Sequence, residues 1–363
     1  MSSIVIAVYR HDTPAMIAMH GDFFQLRALR RIDGVGVLAV TLPRDAITYA
    51  LQPDLRMVVS RSASGYTSLY GGYLLRRWVR EHRDQEAITL YGLCYNSLLG
   101  RRIVAYPAGS AQSAKTAPAD NLLKAVVREN LGSSAGSGRD LSAYGFSVEP
   151  DLGQCGSITA AFAYKRLLDV ANQIAEIAYG KNGDQLHWDV TPTDTGWTME
   201  FRTGKNHLAT DRRITSSNPL WISPETGALT DVRVDYDRSD EINVVVGGGT
   251  GDGSNRITVT VSDTIRVAES AINRCEAFFD GSSYSDTGAL TDASKRKLEE
   301  GKPKLEVSAK LHETDQLLYG RDFFVGSLLT VHVLGAEYDM LVRSVEIVSD
   351  SEKDDVIIDL EAV

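Results

Sequence analysis

Short runs of alternating or β-branched residues recur from one end of the chain to the other, and nothing else in the sequence limits the fold so strongly. SIVIAVY at 3–9, VGVLAVTL at 35–42, LRMVVS at 55–60 and AITLYG at 87–92 carry the two-residue period of half-buried strands. Similar runs lie at 185–190, 198–203, 232–237, 242–246 and 256–262, and KLEVSAKL, SLLTVHVL, YDMLVRSVEIV and VIIDL close the sequence. The expected class is mainly β with helical insertions (α+β). With 363 residues the chain is long enough for about two or three domains and a sizeable core. No apolar run approaches the roughly 18 residues of a membrane-spanning helix, so no membrane insertion by this chain is expected.

Helical spacing appears mainly in the middle. Tyr164, Leu167, Leu168, Ala171, Ile174, Ala175 and Ala178 predict a helix over 159–179, with Gly180 to stop it. Leu122, Leu123, Val126 and Val127 predict another over 121–131, with Asp120 as N-cap and Gly132 beyond the end. Weaker candidates are 267–279 and a polar helix over 291–301 capped by Thr291. The Ser-, Gly- and Ala-rich stretches 108–120 and 132–140 read as surface connections. This divides the chain into 1–107, 108–230 and 231–363: β-rich, mixed and β-rich again. No period of 20 to 50 residues repeats, which disfavours solenoids and propellers.

The net charge of −10 disfavours a tight nonspecific grip on DNA or anionic membrane. Residues 350–361 hold six acids and one lysine, a net of −5 and half of the whole excess. The N-terminus lacks the basic leader and long apolar stretch of a secretory signal, so synthesis in the cytoplasm is expected. Cys94, Cys155 and Cys275 form no CxxC pair and read as small buried hydrophobes.

Each candidate site has a plainer account. The glycine run GGGTGDGSN at 247–255 invites a phosphate-loop reading, but strand-like runs flank it on both sides and no Lys-Ser/Thr follows, so an interstrand loop is expected. His187 and Asp189 alternate on one strand face and His207 lies about one hairpin away, yet a third metal ligand is not evident. No HExxH or matched cysteine and histidine pattern is present. The pairs Glu299 with Glu300 and Asp354 with Asp355 sit in polar surroundings and read as solvated faces. No catalytic, cofactor-binding or metal-ligating residue is therefore assigned, and no cofactor is expected. In YLLRRWVREHRD at 73–84, strand geometry puts Leu75, Arg77, Val79 and Glu81 on one side and Leu74, Arg76, Trp78 and Arg80 on the other. That suits a long edge strand at a protein interface better than a nucleic-acid face, and Arg101 and Arg102 add to its basic character.

From YGLCYNSLLGRRIVAYP at 91–107 onward, the sequence resembles the hub proteins of long-tailed bacteriophages, in particular the siphophage tail proteins of the ReqiPepy type. Gly92, Leu98, Leu99, Arg101, Arg102 and Ile103 carry the first piece of that pattern. The segments 121–132 and 164–178 follow in order, then HWDV and MEF, then NVVVGGGTGDG, RCEAFFD with Glu276, a polar helix and YGRDFFVGSLLTVHV. In the last piece Tyr319, Asp322, Phe324, Gly326, Thr330 and Val331 match, while Ser327 stands where relatives often carry an acid.

The resemblance implies two β-barrel tube domains plus peripheral domains, assembled as a homotrimeric ring with pseudo-sixfold symmetry. On this reading 1–107 is the first tube domain, 108–230 a mixed insertion and 231–363 the region that closes the second tube. The implied role is the non-enzymatic hub of a virion tail tip or baseplate, joining a sixfold tail tube to a threefold tip. Its implied partners are the distal tail protein or tail tube ring, tip or fibre proteins and the tape measure protein. DNA passes through the lumen without specific binding, so carboxylates are expected to outnumber bases there. Two other classes compete. One is a tail-associated cell-wall hydrolase, disfavoured because only a dozen or so residues follow the hub-like sequence. The other is a carbohydrate-binding adhesin module using Trp78, Trp188, Trp197 or Trp221 as stacking platforms.

Overall fold

The computed structural model describes residues 3–82, 86–106, 110, 112–194, 196–314, 317–350 and 353–363, with the His82 side chain excepted. Arg83 and Asp84 of the basic stretch, Pro107, residues 108, 109 and 111 of the first connection, and Ser351 and Glu352 of the acidic terminus lie outside the described residues.

The first segment holds β1 (Ser3–Tyr9), β2 (Met16–His20), β3 (Gln25–Arg31), β4 (Val37–Pro43), β5 (Arg56–Ala63), β6 (Tyr66–His82) and β7 (Glu86–Cys94). The middle holds β8 (Ser113–Pro118), α1 (Ala119–Asn130), β9 (Phe146–Val148), β10 (Ser157–Phe162), α2 (Leu167–Asn182), β11 (Leu186–Thr193), β12 (Thr198–Lys205), β13 (Asp211–Arg212) and β14 (Trp221–Ile222). The last segment holds β15 (Leu229–Asp237), β16 (Val244–Gly248), β17 (Thr258–Ser262), α3 (Thr264–Ala268), β18 (Glu276–Asp280), α4 (Thr287–Glu300), β19 (Lys304–Leu311), β20 (Leu328–Val333), β21 (Ala336–Asp350) and β22 (Asp354–Ala362).

The protein is mainly β, and its largest sheet joins the two ends of the chain. Its order is β15-β19-β22-β21-β3-β4-β7-β6-β5-β1-β2, with β20 on β21 and the short β13 and β14 parallel to β20. The link between the halves is the antiparallel pair of β3 and β21, with Ala28 opposite Ile347. Leu26, Ala28, Val345 and Ile347 are fully buried in one core with Leu38, Val40, Leu90 and Ile358. Burying each of the larger side chains is worth about 1.5–3 kcal/mol, so the alternation in QLRALRR is enough to hold β3 in register.

The sheet stays open: among the described residues no sheet closes into a barrel, and β2 and β15 each pair with one neighbour. The two tubes implied by the resemblance are therefore not closed within one chain. The sheet is nevertheless curved enough for Arg61 of β5 to reach Glu313, beyond β19, and Asp354 of β22.

A second core forms where α1 and α2 pack with the two-stranded sheet β8-β10 and the three-stranded sheet β11-β12-β9. Consecutive residues of β6 feed both cores, Leu75 the first and Leu74 the second, because successive side chains of a strand point to opposite faces. The remaining sheet, β17-β16-β18, carries α4 on one face.

Several sequence expectations are corrected. Residues 157–162 form β10, not the start of a helix, because Ile158, Ala160 and Phe162 alternate inward as its edge pairs with β8. Tyr164 is exposed with φ of 51° and marks the break before α2. Gly180 lies inside α2; the helix ends at Gly183, whose φ of 71° suits a left-handed cap and whose N–H donates to Tyr179 O at 2.7 Å. Gly180 is small because a Cβ there would come within 2.9 Å of Asp292 O on α4. Asp120 caps nothing: it is buried and accepts from Gln154 N and Cys155 N at 3.0 and 3.1 Å. The 267–279 helix is absent, replaced by the short α3 and by β18. The polar helix starts earlier than read, capped by Asp286, and the Thr291 hydroxyl donates to Thr287 O within it. Residues 113–118, read as surface connection, form β8.

Candidate assembly interface

The singled-out residues fall into three places: a buried polar junction, a set of ordinary loop and core positions, and charged exposed surfaces.

The junction lies where β11 meets β3 and β21. His187 Nδ1 is 2.7 Å from Asp33 Oδ2, which also accepts from Arg343 Nη1 at 2.7 Å, while Asp33 Oδ1 accepts from Trp188 N at 2.7 Å. Burial by itself would raise the Asp33 carboxyl, but His187, Arg343 and the Trp188 amide hold it below the usual carboxylate range. Asp189 takes Arg30 at 2.5 Å, and Arg30 also donates to Thr191 Oγ1 at 2.7 Å and Tyr70 O at 3.0 Å. The alternating HWD residues are thus both hydrogen-bonded to the large sheet, and His207 is not brought into a ligand set with them. Among the described residues no group of three or more His, Cys, Asp and Glu is arranged to hold a metal. The sequence reading missed Asp33, Arg30 and Asn96, which is fully buried and accepts from Val190 N at 2.6 Å while donating to Arg31 O and Gly34 O. Only the setting of Asn96 within the largely apolar segment LCYNSLL could have signalled it.

Beside the junction a cleft of about 650 Å³ is lined by Asp33, His187, Tyr179, Lys302, Arg343 and Glu361 among others. His187 Nε2 is buried and has no hydrogen-bond partner among the described residues, so no hydroxyl or thiol stands where an Asp–His pair would activate a nucleophile. Glu299 and Glu300, read as solvated, line the same cleft and pair with Lys302 and Lys297 at 2.7 and 2.8 Å. Asp355 pairs with Lys310 at 3.4 Å. Asp354 departs from the solvated reading: it is partly buried beside Arg61, and burial raises its carboxyl above the usual range.

Gly247 and Gly248 of the glycine run end β16, and the rest forms the loop to β17, as its flanks required. Gly247 is needed because a Cβ would stand 2.2 Å from Ser294 Oγ of α4, and Gly251 has φ of 98°. Trp188 is buried, with its indole N–H donating to Asn172 Oδ1 at 3.2 Å, and Trp197 lies under Arg56 at 4.4 Å. Trp78 packs against the first core and Trp221 is 41% exposed beside His332, so the four do not form a platform. In the motif pieces, Gly92, Leu98, Leu99, Tyr319 and Val331 are buried, Ile103 and Phe324 are partly exposed, and Gly326 has φ of 85°. Asp322 accepts from Leu318 N at 2.7 Å, Thr330 donates to Asp339 at 2.9 Å and Glu276 pairs with Arg274 at 2.6 Å. Ser327 is buried with its hydroxyl accepting from Phe324 N at 3.1 Å, a turn cap that leaves little room for a charged acid.

β6 is an edge strand only in part. It pairs with β5 up to Leu74 and with β7 from Tyr73 onward, and a bulge at Arg76 shifts the register. The extra residue puts Trp78 on the face of Leu75, opposite Leu90, which corrects the simple alternation. Arg76 and Arg101 both donate to Asp54 Oδ1, at 3.0 and 2.8 Å, and Arg77 stacks over Tyr91.

Among known proteins, the model of the Siphovirus ReqiPepy6 Gp37-like protein family matches residues 15–359. The fold is similar to the 43 kDa tail protein of prophage MuSo2 from Shewanella oneidensis, with a TM-score of 0.61, 11% identity, and 99% of this chain and 98% of that one covered. It is similar to the tail protein from Neisseria meningitidis MC58, with a TM-score of 0.63, 12% identity and coverage of 99% and 96%. It is also similar to prophage tail protein gp18 from Listeria monocytogenes EGD-e, with a TM-score of 0.55, 13% identity and coverage of 99% and 94%. No curated protein matches the sequence.

Proposed function

We propose that this chain, which belongs to the Siphovirus ReqiPepy6 Gp37-like protein family, is the hub of a phage tail tip or baseplate. As a homotrimer it joins the sixfold tail tube to the threefold tip and surrounds the channel through which DNA and tape measure protein pass. It works without catalysing a reaction. The observation that carries this reading is the open sheet, whose terminal strands β2 and β15 each have one partner among the described residues. Unpaired edges invite pairing with another chain, and neighbouring copies in a closed ring satisfy them without runaway growth. Likeness in fold to prophage tail proteins over nearly the whole chain supports the same reading.

The physical logic is symmetry matching. Three copies, each offering two similar β surfaces, present six near-equivalent contacts to a tube above and three to a tip below. A net charge of −10 suits a lumen that lets a polyanion slide. Native mass measurement of the purified chain tests the proposal: three copies in a ring are expected, and a monomer at every concentration overturns it.

A further inference from the structure

We infer that the arginine patch around residues 100–103 docks on the carboxylates that β15, β19 and β22 of a second copy of this chain present. This rests on the trimer reading above and gives that trimer a specific contact.

The patch is unusual for so acidic a protein. Arg101, Arg102, Arg139 and Arg166 surround the same short segment. Arg102 Nη1 donates to Arg101 O at 3.4 Å, Arg139 Nη2 to Ile103 O at 2.6 Å, and Arg166 bridges Ile103 through its backbone. Asp54 is the one carboxylate ion-paired with them among the described residues, and Arg101 shares it with Arg76. Asp140 accepts from Ser142 instead, and Asp169, in the first turn of α2, makes no ion pair with the patch among the described residues. The N–H groups Arg101 Nη2, Arg102 Nε and Arg139 Nε are buried without a hydrogen-bond partner among the described residues. Burial, then Arg139 and Arg101, lowers the Arg102 pKa, the effect expected where like charges meet without enough counter-charge. The side chains of Arg101, Arg102 and Arg139 are nevertheless only partly buried and Arg166 is exposed, so an incoming carboxylate can offset the crowded positive charge through charge-assisted, bidentate hydrogen bonds.

The complementary surface has the opposite defect. The strand register sets Asp235 of β15 directly opposite Glu306 of β19, and Glu306 opposite Glu361 of β22. The neighbouring row, Val307 and Leu360, is buried, so the carboxylates occupy the outer face. Like charges opposite one another weaken a sheet. Asp235 is offset by Arg233 and Glu361 by Arg343, whereas Glu306 is exposed and forms no ion pair among the described residues. The patch and the row lie on different elements, so copies can be joined head to tail, patch to row, in the heterologous arrangement that closes into a ring when the rotation fits.

The test is charge reversal in the full chain, using the exposed Arg166 and Glu306 so that neither core is disturbed, with melting curves to verify folding. In 50 mM salt, Arg166→Glu and Glu306→Arg should each weaken the trimer by about tenfold or more in native mass titrations, and the double variant should recover most of that loss. Wild-type trimer should also weaken as salt rises. If both single variants trimerise like the wild type, this contact is wrong while the trimer stands. A wild type that never trimerises removes the reading beneath it. Loss of binding to a 30-base-pair DNA duplex with the trimer intact would overturn the contact and assign the arginines to nucleic acid.

Discussion

His187 Nδ1 and Asp33 Oδ2 stand 2.7 Å apart although 154 residues separate them in sequence. That pair, with Arg343 on the same oxygen, ties the inserted β11 to β3 and β21. A strand that sequence spacing made a weak metal candidate is in fact held as part of the scaffold.

Asp33→Asn should therefore destabilise the protein by about 3 kcal/mol, near the lower end for removing one member of a buried pair. Its pH dependence has a fixed sign. The folded carboxyl titrates below its ordinary value, so its stabilising contribution is complete above about pH 4 and fades as pH falls through the lower folded value. Urea melts between pH 6 and 3 should show the wild type losing stability more steeply than the variant over the acidic end of that range.

Arg56 is a buried cation without a carboxylate in hydrogen-bond range among the described residues. It donates to Trp197 O, to His11 O at 3.1 Å and to Tyr144 O at 2.6 Å, with its guanidinium over the Trp197 ring. Arg56→Ala strands three carbonyls and should cost about 2–4 kcal/mol. Arg56→Lys should recover little, because an ammonium cannot span three acceptors in a plane. Chemical denaturation of the three proteins measures both values.

Gly247→Ala should cost about 1–3 kcal/mol, since its new methyl would stand 2.2 Å from Ser294 Oγ. Ser294→Ala deletes that oxygen and gives up only its bond to Leu290 O within α4. The double variant should be more stable than Gly247→Ala alone, a positive coupling that a double-mutant cycle reads directly.

Burial pushes the Cys94 and Cys155 thiols up to about 11, while Cys275 is only half-buried. Thiolate is the reactive form, so at pH 8 an aromatic disulfide reagent should label one thiol per native chain quickly and all three after unfolding. Cys275→Ser should abolish the fast phase.

These positions also show how far the sequence could be read. SIVIAVY and KLEVSAKL are β1 and β19 without a shift in boundary, because period-two alternation over seven or eight residues is a local property. The phage tail resemblance was likewise legible, since it depends on the order of pieces along the chain. β10 was lost to helix because its alternation spans six residues and runs into the apolar spacing of α2. The true face of Trp78 was hidden by the bulge at Arg76, which arises only from pairing with β7.

Local periodicity and turn chemistry were enough to show that the protein is mainly β, where most strands run, and that the glycine loop has no helix to hold a phosphate. Tertiary structure alone decided which strands are neighbours, and so that β3 meets β21, that Asp33 meets His187, and that three carboxylates fall in one row across β15, β19 and β22. The reason is physical: periodicity fixes which way a side chain points, but long-range pairing is chosen by the burial and charge balance of the assembled sheet, which no single segment contains.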